Sequence, residues 1–91
     1  MTNRLLASEL FQYLLALAAR LTAIGESELA KEVEFASRFA SGSTSELYGE
    51  ARMVLRRVIP VVSGKLTPAE IVKLKTIADG IDSEFERIGG G

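Results

Sequence analysis

The sequence predicts an all-α protein: an up-and-down antiparallel four-helix bundle forming one domain over residues 1–91, with helices at about 3–24, 27–40, 44–59 and 68–88. Three observations lead there. Four stretches carry apolar residues at spacings of three and four, the repeat of a helix with 3.6 residues per turn. Short runs of Gly, Ser and Thr separate them, and short connections make sequential helices antiparallel neighbours. Nothing reads as a strand hairpin.

The first helix is the longest apolar stretch, Leu5 to Ile24. Leu6, Leu10, Tyr13, Leu14, Leu17, Leu21 and Ile24 fall on one side, and Ala7, Phe11, Leu15 and Ala18 make a second row beside it. An apolar surface this wide requires cover from two directions, so this helix is expected to be the most buried element. Thr2 or Asn3 can cap its start, and Gly25, free to adopt positive φ, fits its stop. Glu9, Gln12 and Arg20 interrupt the run, which argues against a signal peptide and against a membrane span.

The second helix opens at Glu26 or Ser27 on a stripe of Leu29, Val33, Ala36, Phe39 and Ala40, widened by Phe35. Its glutamates crowd the first half, where the helix dipole favours negative charge, and Glu34 with Arg38 has favourable i,i+4 spacing. Ser41 to Ser45 is the clearest loop. Ser43 and Glu46 have capping-box spacing, so the third helix should start near Thr44. Its stripe is Leu47, Ala51, Val54, Leu55, Val58 and Val62. Gly49 weakens its first turn by about 1 kcal/mol relative to Ala. Pro60 lacks an N–H and should end or kink the helix near Val58 to Ile59. Thr67-Pro68-Ala69-Glu70 is the strongest local signal: an N-cap, a proline at the first helical position and a reciprocal glutamate. The fourth helix follows on Ile71, Leu74, Ile77, Ala78, Ile81, Phe85 and Ile88. Gly80 in its middle marks either a close helix contact or a weak point, and Gly89 to Gly91 should fray.

Composition narrows the function classes. Hydrophobic residues at 47% and charged residues at 25% exclude wholesale disorder. The net charge of −1 gives no general attraction to nucleic acid or an anionic membrane. With neither Cys nor His, a zinc site would need carboxylates alone, and neither a thiol nucleophile nor a Ser–His pair is available. No enzyme activity, cofactor, metal or membrane partner is expected, and cytoplasm is the default compartment.

Two polar clusters carry candidate chemistry. Tyr48, Arg52 and Arg56 are spaced by four on the third helix, with Arg57 beside them, a pattern able to hold phosphate or an acidic helix. A solvated face, or ion pairs with the glutamates of the second helix, explains these arginines more simply, because no broader basic surface surrounds them. Asp79, Asp82 and Glu86 share one side of the fourth helix, where an ordinary polar face is preferred to a cation site. The second row of the first helix is the better lead. If Phe35, Phe39 and the segment Ile59 to Val62 do not fold over it, Phe11 and Leu15 stay partly exposed, and a symmetric homodimer is expected. The chain thus reads as a non-catalytic protein–protein interaction module: an adaptor, an immunity- or antitoxin-like protein, or an assembly subunit. Its partner is another protein or a second copy, with Phe11, Leu15, Tyr48, Arg52 and Arg56 as candidate interface. The less favoured alternative is an accessory nucleic-acid-binding protein using the basic face of the third helix.

Overall fold

The computed structural model describes residues 4–87, in which four helices run up and down as an antiparallel bundle. They are α1 (Ala7–Ala23), α2 (Ser27–Ser37), α3 (Thr44–Val62) and α4 (Pro68–Arg87), with a short 3-10 helix over Arg38–Ser41. Each helix packs on the next in sequence, and α1 also reaches α3. Leu10, Leu14, Leu17 and Leu21 of α1 meet Val33 and Ala36 of α2, the whole apolar stripe of α3, and Leu74, Ile77 and Ile81 of α4 in one core. The radius of gyration, 12.4 Å, matches the roughly 12 Å of a compact chain of this length.

The first helix starts later than its pattern suggests. Leu6 is its extended N-cap, and the Glu9 carboxylate accepts the Leu6 N–H at 2.9 Å. The expected caps Thr2 and Asn3 lie outside the described residues. Leu6, placed by periodicity on the core face, is 53% exposed, because the chain leaves helical geometry before it. At the other end Gly25 adopts φ +85°, its N–H reaching the Thr22 carbonyl while the Glu26 N–H reaches that of Leu21. This pairing satisfies two otherwise free carbonyls and stops α1 where Gly25 predicts.

The end of α2 tightens into the 3-10 helix. Ser37 and Ser41 donate their hydroxyls to carbonyls three residues back, Glu34 and Arg38, competing there with the regular ladder. The expected Glu34–Arg38 ion pair is not formed. Thr44 opens α3 as predicted, but without the capping box: the Ser43 hydroxyl bonds that of Ser45 instead. Pro60 does not end α3, which continues to Val62. A proline in the last turn removes only one backbone bond, and fully buried Val62 holds that turn in the core. The box at α4 is complete, Thr67 N–H to Glu70 Oε1 at 2.9 Å and Glu70 N–H to Thr67 Oγ1 at 3.2 Å.

The most buried helix is α3, not α1. It carries seven buried residues, including every member of its predicted stripe, against five on α1. The reason is position: α3 touches all three other helices, whereas α1 leans chiefly on α2 and leaves Phe11 and Leu15 of its second row partly uncovered.

Candidate functional site

The outer seam between α1 and α2 carries that row. Ala18, Ala30 and Ser37 are small and buried, so the helices approach closely there, and Phe11 and Leu15 stand at the edges of the shallow grooves along the seam. Phe11 is half-buried and Leu15 is 40% exposed. Phe35 does not cover them. It is itself 55% exposed and lies over the α2–α3 groove with Val54 and Arg57, its ring edge-on to Phe39 at 5.6 Å. Lys31, Glu34 and Arg38 of this hairpin line the same seam. Among the described residues Glu34 and Arg38 make no ion pair, and Lys31 makes only a 3.9 Å contact with Glu28.

The basic residues of α3 do not form one face. Arg52 turns to α4, where its Nε donates to Asp82 at 2.9 Å and its guanidinium lies 5.1 Å from the Phe85 ring centre. Arg57 turns to α2 and pairs with Glu32 at 2.6 Å. Arg56 alone points outward without an ion pair among the described residues. Tyr48 is the clearest correction: only 3% exposed, it belongs to the core, and its hydroxyl donates to the Leu5 carbonyl at 2.6 Å. The acidic cluster is likewise divided, Asp82 being held by Arg52 while Asp79 and Glu86 are exposed. No group of three or more metal-ligating side chains forms among the described residues.

Between α1 and α4 the bundle opens into a groove of about 280 Å³ lined by Tyr13, Ala16, Leu17, Leu66, Ala69 and Lys73. Arg20 and Glu70 close one end with two bonds of 2.7 and 3.2 Å. The Arg20 guanidinium and the Thr67 cap hold the Glu70 carboxyl down at about 2, and burial with the nearby Glu70 charge pushes the Tyr13 phenol up to about 12. Both groups therefore keep one protonation state throughout the neutral range. The acid side is testable. Because the folded value lies below the ordinary 4.5, the Glu70 contribution is complete above about pH 4.5 and is lost as pH falls toward 2. Glu70→Gln keeps the cap but not the charge. Its deficit in melting temperature should be constant above pH 5 and shrink steadily below 4.5; a deficit independent of pH down to 2 would refute the ion pair.

A fourth arrangement joins the segment before α1 to α3 and α4. Arg4, Leu5 and Leu6 form a non-helical strap across α3 and α4. Tyr48 holds the Leu5 carbonyl, and the Leu5 side chain occupies the notch at Gly80, 3.3 Å from where a Cβ would stand. Gly80 is thus a site of close contact, with this strap rather than with a helix. Arg4 forks onto both oxygens of Glu84 at 3.4 Å, and Arg87 reaches the same carboxylate. Glu84 is only 5% exposed, and the two guanidiniums keep its carboxyl below the usual range despite burial. A glutamate buried on a polar-looking helix face has no local signature; only the Gly80 irregularity hinted at a contact there.

No helix among the described residues is long and apolar enough to cross a membrane. Comparison with protein-family models, with curated proteins and with solved structures finds no match for this chain.

Proposed function

We propose that this protein is a non-catalytic interaction module that assembles through the outer seam of α1 and α2, with a second copy of itself as the partner. The observation that carries this reading is the Phe11–Leu15 row, which the rest of the chain leaves partly uncovered. Apolar rows flanked by polar residues mark contact surfaces. The seam also carries both signs of charge, with Glu34 and Arg38 in no ion pair among the described residues. A twofold copy turned antiparallel closes the apolar row on itself and brings the Glu34 of one chain toward the Arg38 of the other. Localisation in the cytoplasm accords with such a role.

Light scattering on a sizing column tests it. The parent chain should elute with a dimer mass at micromolar concentration. Leu15→Glu, which places two carboxylates in the closed interface, should yield a monomer of unchanged helical circular dichroism. A parent that stays monomeric at high micromolar concentration overturns self-association.

A further inference from the structure

We propose that Tyr48, Gly80 and Glu84 form a recognition slot for a non-helical segment in which arginine precedes a large aliphatic residue, a slot the chain fills with its own Arg4-Leu5 and can yield to a partner bearing the same pair. Each wall of the slot reads a different feature of its occupant. The Tyr48 hydroxyl, on a core side chain fixed in place, donates to a backbone carbonyl at 2.6 Å, so it requires a carbonyl left free by any helix but no particular side chain. Gly80 leaves out one Cβ, and the Leu5 Cβ and Cδ2 sit 3.3 and 3.4 Å from where it would stand. That notch selects a large aliphatic group. Glu84 offers two oxygens to a guanidinium fork, a geometry that lysine cannot match. A carboxylate buried to this degree needs a cationic partner, and Arg87 of the same helix reaches only one oxygen. Occupation by an arginine is therefore built into the slot.

The present occupant is held by these contacts alone and by no helix. Arg4 is 59% exposed at its side chain, Leu6 is 53% exposed, and α1 begins only at Ala7, so the strap lifts away without unwinding a helix. Its advantage over a free peptide is local concentration, on the order of millimolar for a short flexible connection. A competing segment binds measurably only when the strap is weakened or when the partner is held nearby.

The test uses the full chain carrying Arg4→Ala and Leu5→Ala, titrated with the peptide acetyl-Asn-Arg-Leu-Leu-amide and followed by backbone amide resonances. The expected result is saturable shifts at Tyr48, Gly80 and Glu84, with at least about tenfold more peptide needed for the parent chain. Glu84→Gln in the same background should weaken the peptide about tenfold, the share of a charge-assisted fork. A peptide with aspartate in place of the first leucine should not bind. Absence of shifts at millimolar peptide, in a variant that keeps its helical circular dichroism, overturns the proposal. So does equal binding of the aspartate peptide. If the double variant does not fold, Arg4→Ala alone serves, since that side chain is largely in solvent: the strap should then leave the slot more readily, so less peptide should be needed than for the parent chain, and an equal requirement overturns the proposal. Tyr48, Gly80 and Glu84 do not line the α1–α2 seam, so shifts at these three residues are read separately from self-association.

Discussion

Leu55→Ala should lower the free energy of unfolding by about 2–5 kcal/mol, and at least as much as Leu14→Ala does. Both side chains are almost wholly buried, at 1% and 0% exposure. Truncation removes the same methyl groups from water-free surroundings in each case, so the transfer term is equal. The cavity term differs. Neighbours of Leu55 on α3 are pinned by helices on several sides, so the void left there collapses little. Leu14 sits on α1, whose outer row faces solvent and can settle inward. A domain of this size is stable by only about 5–14 kcal/mol, so either change removes a large fraction of the total. Urea unfolding followed by circular dichroism measures both. A Leu14→Ala loss clearly larger than that of Leu55→Ala would show that α1, not α3, is the centre of the core.

Replacing Tyr48 should separate its two roles. Tyr48→Ala is expected to cost about 3–5 kcal/mol, as for other buried aromatic truncations. Tyr48→Phe keeps the ring and removes only the donor to the Leu5 carbonyl, for about 0.5–1.5 kcal/mol. Because that bond holds the strap, Tyr48→Phe should also raise hydrogen exchange at Leu5 and Leu6 more than in the middle of α3. A surface tyrosine would give losses near zero for both variants. Neither variant should change the sizing behaviour, since Tyr48 lies outside the α1–α2 seam.

The fold was legible because its signals are local. The α3 stripe, the Gly25 stop and the Thr67–Glu70 box each depend on residues within a turn or two of one another, and all three stand in the structure as the spacing requires. Where a local signal failed, a neighbouring interaction outweighed it. Ser43 bonded Ser45 rather than capping α3. Pro60 stayed helical because Val62 is buried beyond it.

The surfaces divide in the same way. Phe11 and Leu15 could be named from sequence because an apolar row too wide for one neighbour is a property of a single helix. Tyr48, Arg52 and Arg56 share a face by spacing, yet spacing along one helix does not say what packs against it. Only the tertiary arrangement sent Tyr48 into the core, Arg52 to Asp82 on α4 and Arg57 to Glu32 on α2. It likewise decided that Glu84 is buried and that Leu5 fills the notch at Gly80, contacts between residues 80 and 75 positions apart. The sequence by itself determined the four helical stretches and most of each inward stripe, since both follow from a period of 3.6, but not where α1 starts or where α3 stops. Which charges meet, and which apolar row stays uncovered, depend on how four helices are placed against one another, and no single helix carries that information.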